Sequence, residues 1–560
     1  MKVEFKRVVL GSALIGLLGS TVIGCSTGKQ PNQTGGMDVS KPAPNQELRI
    51  NLSAEPPALD SSIATTNPTF TILNAINEGL YRLDKDGKPQ PGLAKELPKI
   101  SADGLVYTIT LRDGLSWADG TPLKASDFEY SYKRTLDPTT KAKYATMLAW
   151  IKGGNGLITA KPEEIEAKKA AVGVKAIDDK TLEITLERPV AFFTDQLSMP
   201  TFFPQKPDFV KAQGEKNGAD ADKVIGAGPF KLEKWDHNQQ LVMVKNDKYW
   251  DAANVKLNKV VVNIVKEAST GLNLYETNQV DLTELKGDQV KMYASKQAEV
   301  QVKNEFVTAY IMFNNSQQYA PFLLNAKVRQ ALGMAIDKTA MVDVVMGGAS
   351  LPATGLVPVT MLDGNKAEFR KTAGDTMPKY DVAKAKQLLA DGLKELNLTA
   401  LPKFKLTGDD TDTAKKTIEF IQAQWKQNLG VDIEGEPLPF ALRVEKMQNK
   451  KDFQALIALW GADYNDPMTF LDMWLSDNKS FNYMSYSSKP YDDLVKGADK
   501  EMDTAKRAKL LVDAEKQLMN DMPLAPLYFR TRPYARKPNI EGLLLPAMSK
   551  EWELKWTYLK

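Results

Sequence analysis

Side chains that commonly carry out chemistry are unevenly supplied in this chain of 560 residues. There is one cysteine, Cys25, and one histidine, His237. A single thiol cannot close a disulfide within the chain, and one Cys with one His cannot build a Cys/His zinc site. A Ser-His-Asp triad would have to use His237 as its base. That residue lies in Lys234-Trp235-Asp236-His237-Asn238, which reads as a turn between strands. No Gly-Lys-Ser/Thr loop is present to cradle phosphates, so the chain would not hydrolyse ATP itself. Carboxylates are plentiful, and hydrolysis by two positioned acids, as in a glycosidase, stays open on composition. Two acidic runs have plainer readings. Asp84-Lys85-Asp86-Gly87 lacks the third acid and the distal Glu of a calcium loop and reads as a hairpin turn. Asp409, Asp410 and Asp412 stand just before a helix, where acids favour its dipole. Asp463 is placed differently, because the apolar run Ala455–Trp460 ends in Gly461-Ala462-Asp463. Ligands of open α/β sheets bind beyond the carboxyl ends of strands. A carboxylate shielded from water there would pair strongly with an ammonium group. It could equally cap the turn that Asn465-Asp466-Pro467 announces.

Strands and helices must position these residues. Leu105–Leu111 alternates after the turn Ala102-Asp103-Gly104, and Thr181–Leu186 alternates with its apolar members on one face. Val260–Val265 and Ala455–Trp460 are short continuous apolar runs, which predict strands buried on both faces. Ile418, Ile421, Trp425 and Leu429 recur at helical spacing in 413–429, and Gly430 supplies a stop. Leu510, Leu511, Ala514, Leu518 and Met519 do the same in 503–520, with Asp503 a candidate cap. A third helix starts at Asp381. Strands mixed with helices over this length predict α/β architecture in two or three domains. A net charge of +3 is far from the excess of a nucleic-acid binder.

The N-terminus reads as an address. Lys2, Lys6 and Arg7 precede the apolar, small-residue segment Val8–Gly24, the order of a secretory signal. Cys25, directly after Val22-Ile23-Gly24, resembles the acceptor of a bacterial lipobox. Diacylated Cys25 would anchor stably, since two acyl chains hold where one is marginal. Residues 1–24 are expected to be a signal peptide and 25–46 the lipidated cysteine with a flexible polar tether.

The run Leu111-Arg112-Asp113-Gly114-Leu115-Ser116-Trp117-Ala118-Asp119-Gly120-Thr121-Pro122, followed by Ala125-Ser126-Asp127-Phe128, resembles the signature of the oligopeptide- and dipeptide-binding proteins of ABC importers (extracellular solute-binding protein family 5, the peptide/nickel-binding group). Glu55-Pro56, Glu78-Gly79-Leu80, Gly173–Asp179, Gly228-Pro229-Phe230, Phe313-Asn314-Asn315 and Ala462-Asp463-Tyr464-Asn465-Asp466-Pro467 are similar to further blocks of that family, in its order. The resemblance implies an α/β, two-lobed periplasmic-binding-protein-like fold with an extra domain. Domain I would be discontinuous, from residues 47–85, 206–305 and 526–560; domain II would be 86–205 and domain III 306–525.

The resemblance also implies roles. The Asp of the matching Ala-Asp-Tyr-Asn block holds a peptide's N-terminus, a role that falls here to Asp463. The backbone of Leu459, Trp460 and Gly461 would hydrogen-bond the peptide as an added strand. Thr66 and Asn67 would supply backbone contacts from the other side, and Asn273, Tyr310 and Tyr528 match positions near the cleft. For both tyrosines, core or hinge packing is the competing reading; for Trp460 it is a core aromatic. Enteric relatives place Arg at the positions of Ile457 and Gln448, so those two spots lack the cation that would hold the ligand carboxylate. The implied protein is no enzyme and needs no cofactor or metal. It would be a monomeric receptor on the extracellular face of a Gram-positive cell membrane, held by its lipid anchor alone and binding no nucleic acid. It would deliver oligopeptides to ABC permease subunits. A dedicated receptor for a peptide pheromone, haem or a nickel complex is the nearest alternative, and a carboxylate-based hydrolase a distant one.

Overall fold

Burial along the strands shows which faces the chain must hide. In Thr181–Thr185 the residues Leu182 and Ile184 are buried while their neighbours are half-exposed, the period of a strand with one face on a core. The structure, a computed structural model, describes residues 43–560 other than 294, 297 and 298. Cys25, the apolar segment before it and most of the tether lie outside the described residues. Thr181–Thr185 belongs to a four-stranded antiparallel sheet ordered Lys99–Ile100, Val106–Thr110, Thr181–Thr185, Val174–Ala176. The helix Ala125–Leu136 packs on it.

Eleven strands form the principal sheet. In chain order they are β1 (Glu47–Leu52), β2 (Phe230–Asp236), β3 (Gln240–Lys245), β4 (Lys259–Ile264), β5 (Leu282–Glu284), β6 (Val300–Phe313), β7 (Ser350–Pro352), β8 (Phe404–Asp409), β9 (Ile433–Leu438), β10 (Ala455–Gly461) and β11 (Leu524–Arg536). Their spatial order is β9-β8-β10-β6-β11-β5-β1-β4-β3-β2, with β7 attached to β11. Along this path β5, β1, β4, β3 and β2 form one half of the sheet, and β9, β8 and β10 the other. β6 and β11 join the two. Val300–Asn304 pairs with Thr531–Ala535, and Thr308–Met312 pairs with Leu524–Phe529, with the ladder interrupted between Asn304 and Thr308. The two halves of the sheet are therefore joined by two continuous strands rather than by linkers.

Helices close the β8–β10 half. Asp412–Leu429 follows Thr411, whose side chain accepts from the Ala414 N–H, and stops at Gly430 with φ 72°. It buries Ile418, Ile421 and Trp425 against the sheet. Val382–Glu395 is capped by Asp381 and Thr504–Asp521 by Asp503, each acid satisfying otherwise orphaned N–H groups. One expectation is corrected. β4 is not buried on both faces: Val260 and Val262 are buried, while Val261 is half-buried. The apolar run Val260–Val265 thus reflects β-branched preference for strands as well as burial.

Candidate functional site

β10 starts inside the core and ends outside it. Ala455 to Ala458 are buried, Leu459 is 39% exposed, Trp460 is half-buried and Gly461 is exposed. On one side β10 pairs with β6 along its whole length, from Ala455 opposite Phe313 to Gly461 opposite Val307. On the other it meets β8 only at Ala455 and Leu456. Beyond that point this edge has no strand partner among the described residues. Such an edge offers N–H and C=O groups to any extended chain. Gly461 lets a backbone approach closely. Trp460 donates from its indole nitrogen to the Thr469 carbonyl at 2.9 Å, and its ring stands edge-on to Phe481. It is a half-buried wall at the strand end.

Asp463 follows two residues after β10. Its backbone N–H donates to Thr469 Oγ1 at 3.2 Å. The turn-capping role falls to Asp466, which accepts from the Met468 N–H at 2.9 Å and binds both terminal nitrogens of buried Arg507 at 2.7 and 2.8 Å. Asn465 ties the same loop to Leu362 through its side-chain oxygen, which accepts at 3.1 Å. The loop is therefore fixed without the Asp463 carboxylate, which has no cation or hydrogen-bond donor among the described residues. Burial pushes its carboxyl up to about 6. Asp472 is pushed up to about 7 by burial first, and then by the charge of Asp463. Acids kept from water with no cation favour a ligand that brings one.

The facing wall comes from the start of the helix Asn67–Ile76. Thr66 caps it in extended conformation, φ −120° and ψ 146°. Its hydroxyl is 3.0 Å from Thr69 Oγ1. The N–H groups of Thr66 and Asn67 have no backbone partner among the described residues, so both are available to a ligand backbone. Phe70 of this helix stacks on Tyr144 with centroids 6.1 Å apart. Burial first, and then the Asp463 charge, raises the Tyr144 hydroxyl. Tyr144 thus links the Thr66 wall to Asp463. Sequence reading missed it, since it stands in the short 3-10 turn Lys143–Leu148, where no periodic pattern marks a face.

A cavity of 380 Å³ opens between the lobes. Ser53 and Glu284 line it from one lobe, Met346 and Thr413 from the other, and Tyr528 and Arg530 of β11 form its floor. It lies past the carboxyl end of β8, where Thr413 enters its helix, and so beside the open end of β10. Leu459, Ala309 and Tyr528 are register partners across β10, β6 and β11 and share one sheet face. Two candidates stand apart from this group. Tyr310 is 3% exposed and packs edge-on against Trp474 at 5.6 Å, so its ring belongs to the core: it is the immediate neighbour of Ala309 and points to the opposite face. Asn273 is on the exposed face of the helix Ala268–Glu276, whose Gly271, Leu272 and Tyr275 are buried, and it lines no part of this cavity.

Segments far apart in the chain also meet near Asp463. Phe192 stacks on Tyr464 with centroids 4.1 Å apart. Lys366 pairs with Asp195 at 2.8 Å and Arg188 with Asp499 at 2.8 Å.

Comparison with known proteins follows the same lines. The family model for bacterial extracellular solute-binding proteins, family 5 Middle, matches residues 88–482. The chain is 33% identical over 539 residues to the dipeptide-binding protein DppE of Bacillus subtilis, covering 96% of each. It is 32% identical over 508 residues to the oligopeptide-binding protein OppA of the same organism, covering 89% of this chain and 90% of that one. The solved structure of Listeria monocytogenes OppA bound to peptide is 38% identical with a TM-score of 0.71, covering 92% of this chain and 100% of that one.

Proposed function

The chain belongs to the bacterial extracellular solute-binding proteins of family 5, and from that premise we propose that it captures oligopeptides between its lobes and delivers them to an ABC permease. The observation that carries this reading is Asp463: a carboxylate raised to about 6 by burial, without a cation, beside an unpaired strand edge. A peptide brings both missing partners, an ammonium for the acid and a backbone for the edge. Backbone pairing uses groups common to all peptides and so gives affinity without sequence choice. Relatives named for dipeptides and oligopeptides support the peptide class. Capture proceeds by closure of the lobes about the β6–β11 crossing, where the interrupted ladder gives the strands room to bend. The ligand leaves unchanged. Cys25 is the lipid anchor on the extracellular face, and the receptor acts as a monomer; Cys25→Ala protein is expected to leave the membrane fraction, and its retention there would refute the anchor.

Native mass spectrometry on the protein as purified from cells tests the function. A ladder of adducts that release as intact, mixed short peptides is the expected result. One discrete adduct would assign a dedicated receptor. A bare protein that stays bare in peptide mixtures would overturn the peptide reading.

A further inference from the structure

His237 stands in the turn that joins β2 to β3, and peptide capture makes no use of it. Its ring lies over that of Trp235, with centroids 4.5 Å apart. A carboxylate sits at each ring nitrogen: Glu55 Oε1 is 2.6 Å from Nδ1, and Asp220 Oδ1 is 2.9 Å from Nε2. These two acids are the charged groups that face the ring among the described residues. Their charged neighbours pair with one another, Lys234 with Asp236 at 2.5 Å and Lys223 with Asp222 at 2.8 Å. An imidazole that donates at both nitrogens is an imidazolium. The neutral ring has a single N–H, so one of its nitrogens would turn a lone pair toward a carboxylate. Asp220 is the contact that gives way. Glu55 keeps two other donors, the Trp235 indole N–H at 2.9 Å and the Asn238 N–H at 2.7 Å. The Asp220 carboxylate has no other donor among the described residues, and it is 55% exposed against 16% for Glu55.

This grip holds stretches that no regular element fixes. From Ser53 to Thr66 the chain forms neither helix nor strand. Gly218 lies directly against it: its carbonyl accepts from the Leu59 N–H at 2.7 Å, and at φ 76° a side chain there would strike the backbone of Leu59 and Asp60. Asp220 follows two residues later, and Glu55 stands four residues before Leu59. The ring thus closes a circuit of contacts from Glu55 through Leu59 and Gly218 to Asp220. Beyond it Asp60 is held independently, by both terminal nitrogens of Arg134 at 2.8 and 2.7 Å. What depends on His237 is therefore Ser53–Leu59 and the loop Asn217–Asp220, and Ser53 lines the 380 Å³ cavity. We infer that His237 is a proton-operated clasp: as an imidazolium it fixes these two stretches to each other, and on losing its proton it releases Asp220 and loosens both. The inference is independent of what the cleft binds. Both acids raise the imidazole above its ordinary value, Asp220 the more, so the clasp is complete below 6.5 and opens as pH rises through the folded value.

Hydrogen–deuterium exchange on the full chain in detergent, at about pH 6 and about pH 9, tests this. Protection factors are compared, so that the intrinsic pH dependence of exchange cancels. In the unmodified protein, protection over residues 53–59 and 217–220 is expected to fall about twofold to fivefold between the two conditions, the worth of one exposed charged pair, while β1 and β4 hold theirs. His237→Ala should show the lower protection under both conditions. Asp220→Asn should show the higher protection under both, because its amide accepts from the Nε2–H of the charged ring and donates to the bare Nε2 of the neutral one. Equal protection of the unmodified protein at the two pH values would overturn the clasp, as would a pH response that survives in His237→Ala. Should His237→Ala not fold, a response of equal size in Asp220→Asn and the unmodified protein would overturn it.

Discussion

Asp463→Asn should make the ligand-free protein more stable and at the same time ruin it as a receptor. The substitution keeps the shape and removes a charge that has no partner. In the folded protein the carboxyl is raised from 3.8 to about 6. Each unit is worth about 1.4 kcal/mol, so the charged acid costs about 3 kcal/mol at neutral pH, an upper figure for a side chain that keeps some contact with water. The sign follows from proton counting. Between pH 3.8 and about 6 the folded state holds a proton that the unfolded chain has released, so stability falls as pH rises through this window. The gain from Asp463→Asn is therefore absent below the window and complete above it. Peptide affinity moves the other way. Losing the ion pair leaves a shielded ammonium facing a neutral amide, which weakens binding by about 100-fold or more, roughly 3 kcal/mol. Denaturant melts of both proteins at pH 4 and pH 7, with peptide titrations at pH 7, measure both effects. A variant no more stable than the parent at pH 7 would show that Asp463 is not strained by burial, and one that binds peptide equally well would show that the acid is not the anchor.

Three further outcomes follow from the same geometry. Asp466→Ala removes both acceptors of buried Arg507 and the cap at Met468; it should cost about 3–5 kcal/mol in denaturant melts, as expected for a charge left buried alone, and destabilisation below about 1 kcal/mol would contradict the role given to this loop. His237, the sole imidazole, sits between Asp220 at 2.9 Å and Glu55 at 2.6 Å, both of which raise its pKa, Asp220 the more. Its single NMR resonance should titrate above 6.5, with the stabilisation present below 6.5 and lost as pH rises through the folded value; a midpoint at or below 6.5 would refute these contacts. Trp460→Ala should weaken peptide binding about tenfold through loss of the wall beside the strand edge, and unchanged affinity in titration would remove Trp460 from the site.

How far the chain could be read in advance differs by element. Helix ends were legible because caps are local chemistry: Asp381, Asp503 and Gly430 stand where they were expected. So was the hairpin at Asp84–Gly87, where Asp84 accepts from the N–H groups of Asp86 and Lys88 and Gly87 takes φ 73°. The β6–β11 crossing was not legible, because it pairs residues more than two hundred positions apart and its two strands change neighbours midway. In Ala455–Trp460 the apolar pattern marked the strand but not the point where it leaves the core, which is where the open edge begins. Tyr310 and Asn273 matched cleft positions by order along the chain; strand alternation and helix facing turn them elsewhere.

The central claim is that a shielded carboxylate at the end of β10 waits for an α-ammonium. Calorimetric titration with Ala-Ala-Ala and with its N-acetyl derivative at pH 7 measures this directly. The account predicts that the free peptide binds and that acetylation weakens it by about 100-fold or more, the worth of one buried charge pair. Equal affinity for the two would mean that Asp463 is not what holds the ligand.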